Sequence, residues 1–470
     1  MSATAKSSVS PSFSLGADDA IAALRRELLA WAWLAVGALA VAGVFALLLA
    51  ISRIPGMDRA PLWPIDFFYK GLVIHVVFSL VIWLLAVFAF LTTAGTLRIE
   101  GQGLRAAPLG RVGQGLVLVA FPCLFAPAFF DASLPELANY VPLIRNPLYD
   151  LGLALLALGI LAPVARLFVS LAGADRPLAP LTLAMAVGGF IYAMALVAFA
   201  VAGALLAARG ELALRELLFW GGGHLLQFVY ATALVVNWRI LATRSLGEGS
   251  VSDRAFRLAL LILGALALVG PFFYLLFPPF SRGQHEAFRY LQFFVALPTL
   301  IFAAPLLGRI SALRRAGGLP WRDPAFFTLA MSLALFALGG AMGFLISGSD
   351  TRTPAHYHAV ITAVSVSSAG MLLTFGLDEL GRAPASARVT RALIALYGGG
   401  QFVASIGMFV AGGYGAARKT PSGAGSLDVV AAAGMAVHGI ASIFTILGGA
   451  AFVVVAILAL LRPARIPSRA

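Results

Sequence analysis

The chain has 470 residues, 61% of them hydrophobic and only 11% charged, with a mean hydropathy of +0.95. A soluble protein of this size could not keep such a surface in water, so lipid is the solvent for most of it. The formal charge of +13 does not imply nucleic acid, because the basic residues are spread over short loops between apolar runs, where they set membrane orientation. The one cysteine, Cys123, rules out an internal disulfide, a multi-cysteine metal site and a covalently attached c-type haem.

In chain order, residues 1–28 read as a disordered cytoplasmic tail, without the apolar core of a secretory signal. Spanning helices are predicted at 29–52, 69–94, 112–131, 148–172, 178–207, 213–243, 257–279, 285–315, 323–348, 354–380, 389–413 and 428–461. Connections containing Pro and Gly separate them, such as Ser52–Pro64 and Thr420–Gly425. Residues 462–470 form a second cytoplasmic tail. No internal repeat marks the inverted halves of a transporter.

Alternate loops carry most of the arginines, from Arg25 and Arg26 through Arg98, Arg105 and Arg111 to Arg462 and Arg465. The other set is thinner, with Arg145 and Arg352 each alone and pairs such as Arg282 and Arg289. The fold class is therefore an all-α integral membrane bundle of about twelve transmembrane helices, residues 29–461, with both termini cytoplasmic.

All six histidines, His75, His224, His285, His356, His358 and His438, lie in or at the start of predicted spans. Histidine inside a membrane is costly and marks a functional site. Each lies within roughly a dozen residues of the outer end of its span, so at about 1.5 Å per residue all share the outer half of the bilayer. His356 and His358 flank Tyr357. Two residues apart on a helix, they point about 200° away from each other and serve cofactors on opposite flanks. With a third histidine elsewhere, this is the arrangement two adjacent haems require.

The run from Asp350 through Thr351 to Ala355-His356-Tyr357-His358 resembles the tenth-helix start of subunit I of the haem–copper oxidase superfamily. The resemblance extends to His75 in the second span, His224 in the sixth and Phe336–Gly343 in the ninth. It implies His75 and His358 as axial ligands of a low-spin haem, His356 as proximal ligand of a high-spin haem, and His224 as a ligand of a non-haem metal. It also implies that Arg418 and Lys419 hold haem propionates, where two cations meet a physical need.

Three features depart from the family pattern. In place of an adjacent His-His pair, the sequence has His285 followed by Glu286. A metal held by His224, His285 and Glu286 suits non-haem iron better than the alternative, copper. Gln227, one turn beyond His224, would orient a ligand or bound gas. Secondly, the tyrosine that many oxygen reductases place four residues after the sixth-helix histidine is Phe228 here, and Tyr230 is expected to point elsewhere. The eighth span, beyond Glu286 and Arg289, reads as apolar through Leu291–Leu307, so a proton path would rely on hydroxyls such as Ser365, Ser367, Ser368 and Thr374. Thirdly, His438 has no counterpart; it could meet a propionate, complete the metal site or simply pack between helices.

These features point to a multi-pass protein of the inner (cytoplasmic) membrane that passes electrons from a low-spin haem to a haem–metal pair reducing a small gas. The departures favour nitric oxide over oxygen. The alternatives are an oxygen-reducing terminal cytochrome oxidase, a transporter using the histidines as a proton relay, or a degenerate haem-binding relative. Electrons would arrive from a donor subunit, cytochrome c or quinol, since the chain carries no thiolate copper centre.

Overall fold

In lipid, every backbone N–H and C=O must be satisfied within the protein, so long apolar runs span as helices. The computed structural model describes residues 17–52, 67–99, 105–138, 141–174, 177–346, 350–418 and 427–464. Among them are twelve helices long and apolar enough to cross a membrane. They are α1 (Ala22–Ile51), α2 (Phe68–Leu97), α3 (Ala107–Phe129), α4 (Pro147–Leu171), α5 (Pro180–Ala208) and α6 (Arg215–Leu246). The second half comprises α7 (Asp253–Leu276), α8 (Arg282–Arg315), α9 (Pro324–Gly343), α10 (Arg352–Glu379), α11 (Ala387–Gly413) and α12 (Val429–Leu461). The predicted all-α membrane bundle is the observed fold.

Several helix starts are written locally. Asn146 accepts from Leu148 N ahead of Pro147, and Asp323 accepts from Ala325 N and Phe326 N ahead of Pro324. Ser281 caps α8 by accepting from Gln284 N. Regular α-helix is interrupted in α8 between Phe293 and Ala296. The cause is Pro298, which has no N–H to offer the Phe294 carbonyl.

Consecutive helices pack as neighbours at α3–α4, α5–α6, α9–α10 and α11–α12. Over their most apolar stretches α2, α6 and α10 are mostly buried in protein, whereas each of the others leaves at least half of its stretch unburied. The three inner helices carry His75, His224, His356 and His358. Between α3 and α4 a small antiparallel hairpin forms from β1 (Leu134–Glu136) and β2 (Leu143–Arg145).

The first helix starts at Ala17, inside the stretch the sequence assigned to a tail. A charged residue ends a hydropathy window, but Glu27 is buried and accepts a 2.6 Å hydrogen bond from Arg166 of α4. Side-chain exposure is 2% for Arg166 and 8% for Glu27, so removing one partner strands a buried charge. Arg166→Met should therefore lower stability in detergent by about 3–5 kcal/mol, while the double variant with Glu27→Leu recovers most of it. Thermal unfolding of the two variants checks this; equal losses would show that the pair's charge balance is not what matters.

Candidate functional site

The predicted histidine layer is a feature of the structure. All six lie on α2, α6, α8, α10 and α12, even-numbered helices that start on one side of the bundle, each within its helix's first ten residues. A cavity of about 470 Å³ opens among these helices. His75, His356, His358 and His438 line it, together with Arg418, Gln227 and mostly apolar side chains. It reaches α1 on one flank of α10 and α6 on the other, so His356 and His358 border a single space wrapped around their helix.

Five imidazoles are held the same way. Each Nδ1 lies within hydrogen-bond reach of a backbone carbonyl: His75 at Ala42 (2.9 Å), His224 at Trp220 (2.6 Å) and His285 at Ser281 (2.9 Å). His356 reaches Gly339 (2.6 Å) and His438 reaches Ala404 (3.2 Å). A carbonyl can only accept, so each Nδ1 carries the proton and Nε2 keeps its lone pair. That is the tautomer a metal-ligating histidine needs, with the ring aimed by its second nitrogen. The sixth, His358, stacks on Tyr357 with ring centroids 5.2 Å apart.

Glycines make these placements possible. A side chain at Gly343 would meet the His356 ring at 2.8 Å, and one at Gly339 would strike Val360 across the α9–α10 contact. On α6, side chains at Gly221 and Gly222 would overlap Phe288 and Phe199. The close approach leaves His224 fully buried, its ring 5.7 Å from that of Phe288.

Arg418 sits on a strap tied to the start of α10. Thr351 N donates to the Ala416 carbonyl (3.0 Å), and Thr351 Oγ1 donates to the Met408 carbonyl (2.9 Å). Beside it, hydrogen bonds from the Arg352 guanidinium hold the Asp350 carboxyl below the usual carboxylate range. Lys419, the second member of the expected basic pair, lies outside the described residues.

The expected metal ligands are only partly brought together. His224 and His285 both pack on Trp220, at 5.0 and 4.8 Å between ring centroids. Glu286 instead pairs with Arg289 one turn on, at 2.5 Å. Among the described residues no three His, Cys, Asp or Glu side chains converge as a metal cage. The cavity, its lone-pair imidazoles and Arg418 fit haem; the non-haem position has two imidazoles in place and a carboxylate held aside.

Two sequence readings are corrected by the cavity wall. Tyr230 lines the cavity, while Phe228 is fully buried and does not. Nor is α8 apolar throughout Leu291–Leu307: Gln292 also lines the cavity and donates from Nε2 to Gln227 Oε1 at 2.6 Å. Its spacing of seven from His285, about two turns, was the available signal. Tyr397 and Gln401 join the wall from α11, where a widened π-turn at Ala395–Gly399 turns Tyr397 toward Ser365.

The profile of the family described as cytochrome c and quinol oxidase polypeptide I matches residues 27–444. The chain belongs to that family. An uncharacterised protein of Aquifex aeolicus (strain VF5) is 30% identical over 362 residues, covering 75% of this chain and 84% of that protein. Another, from Rickettsia prowazekii (strain Madrid E), is 24% identical over 489 residues, covering 90% and 94%. Among solved structures, a haem–copper terminal oxidase determined by cryo-electron microscopy as a dimer superposes with a TM-score of 0.76 at 18% identity. The match covers 95% of this chain and 85% of that one, and shows the shared fold. As a member of that family, the chain is a multi-pass membrane oxidoreductase, and the family binds two haems and a copper or iron centre. The family acts on gaseous substrates with electrons from other subunits, cytochrome c or quinol.

Proposed function

We propose that this chain is the catalytic subunit of a respiratory nitric oxide reductase of the inner membrane, with both termini cytoplasmic. His75 and His358 hold the low-spin haem, His356 the high-spin haem, and His224 and His285 the non-haem metal, iron in preference to copper. The observation that carries the reading is the single cavity shared by His75, His356, His358 and Arg418. Bound haem and metal supply the one-electron chemistry. The protein's part is to aim the Nε2 of His75, His224, His285 and His356 through their Nδ1–carbonyl bonds and to screen propionate charge with Arg418 and Lys419.

Substrate choice rests on proton supply. The spans have no acidic residue or lysine near their middle, and the position four residues after His224 is a phenylalanine without a hydroxyl. What remains below the cavity is hydroxyl and amide: Ser365 at its wall, and Ser367 and Ser368, which accept from Asn237 Nδ2 at 3.2 and 3.0 Å. Redox proton pumps use ionisable relays. Oxygen reduction is the second reading, and Tyr230 favours it by placing a phenol on the cavity wall. Gas consumption by one purified preparation decides between them: nitric oxide should be consumed faster than oxygen, with no pumping. Vesicles that acidify their exterior during oxygen turnover beyond scalar chemistry would contradict the proposal.

A further inference from the structure

Gln227 of α6 and Gln292 of α8 form an amide pair on the cavity wall that no histidine role explains. Gln292 Nε2 donates to Gln227 Oε1 at 2.6 Å, closing the gap between the two helices. The pair stands one turn deeper than His224 on α6 and two turns deeper than His285 on α8, so it lies beneath the paired imidazoles on their own helices. With that bond made, Gln292 Oε1 is shut off from solvent and has no hydrogen-bond partner among the described residues. Both side chains line the cavity.

A buried amide oxygen without a donor costs about 1–3 kcal/mol, and native proteins satisfy such atoms with protein groups or with bound water. The site therefore presents an acceptor, Gln292 Oε1, aligned by the bond to Gln227. An acceptor selects a ligand that carries hydrogen. Nitric oxide and oxygen have none to give; water does, and so does a protonated reduction product.

We propose that Gln292 is a positioning residue that binds a water-sized O–H donor beneath the metal pair, and that Gln227 aligns it. The inference rests on the cavity holding the haem–metal pair. Its role is to fix the water through which protons reach, or product leaves, the reacting gas, while the gas itself gains nothing from the amide oxygen.

The test uses the holoenzyme with carbon monoxide bound to the reduced haem. Photolysis difference infrared spectra are recorded in ordinary and oxygen-18 water for the unmodified protein, Gln292→Leu and Gln292→Glu. The expected result is an isotope-sensitive O–H stretching band in the unmodified protein, absent from Gln292→Leu and regained in Gln292→Glu. Turnover should fall about tenfold in Gln292→Leu, the size of one lost hydrogen bond. An unchanged water band in Gln292→Leu with both haem spectra intact would overturn the proposal. Should that variant fail to assemble, a high-resolution map of the unmodified holoenzyme serves: density for a water against Gln292 Oε1 supports it, and a dry gap overturns it. A preparation without haem bands would refute the haem–metal reading itself, and shows at the optical stage before any infrared measurement.

Discussion

Replacing either His75 or His358 with alanine should remove the six-coordinate low-spin haem spectrum and leave a high-spin haem in place. The two histidines reach the cavity from α2 and α10, two of the three most enclosed helices among the described residues. His75 is held by the Ala42 carbonyl of α1, and His358 is backed by the Tyr357 ring. Losing an axial ligand does more than losing an orienting partner, which alone costs roughly 10–100-fold. Turnover should fall by more than that range. His356, bound to Gly339 on the other flank of α10, is untouched by either substitution, so the high-spin signal survives. An unchanged low-spin signal in His75→Ala would show that α2 does not supply the axial ligand.

Iron in excess of haem iron, by about one atom per chain, is the second expected result, with little bound copper. His224 and His285 supply two imidazoles, and copper is best served by three nitrogen or sulfur ligands, whereas a carboxylate hardens a site toward iron. Glu286 is the carboxylate in question. In the structure it is engaged by Arg289, at 2.5 Å and with that side chain 56% exposed. An exposed i,i+3 pair is worth at most about 0.5 kcal/mol, so a divalent ion competes for the carboxylate at little cost. His224→Ala should lose the extra iron and nearly all turnover. Glu286→Ala should lose the extra iron and most activity while leaving both haem spectra nearly intact. Stoichiometric copper without extra iron would contradict the proposal, and would turn attention to His438, which borders the cavity of His75, His356 and His358 from α12.

The fold was legible because lipid leaves a chain few choices: twelve apolar runs and, among the described residues, twelve spanning helices, with ends displaced by a few residues. The largest displacement, at α1, comes from a tertiary ion pair between Glu27 and Arg166 that no local window can see. The shared histidine layer was legible too, since depth along a helix is counted in residues. Direction around a helix was harder. Spacing from His224 misplaces Tyr230, because the cavity face of α6 runs through Gly223, Gln227, Tyr230 and Leu234, to one side of that histidine. Gln292 does not stand out in the sequence, because one amide barely changes the hydropathy of its run. Its meaning depends on Gln227, which lies 65 residues away in sequence. The aiming of five imidazoles by backbone carbonyls leaves no trace in the sequence, because any residue supplies a carbonyl.

The proposed function needs two haems in different coordination states beside a third redox metal. Reduced-minus-oxidised optical spectra of the purified chain, with and without carbon monoxide, on a preparation whose haem content has been determined, show whether it has them. Two haems per chain are expected, one low-spin and indifferent to carbon monoxide, the other high-spin and shifted by it. A purified, folded chain with no haem bands, or with a single haem that carbon monoxide leaves unchanged, would contradict it.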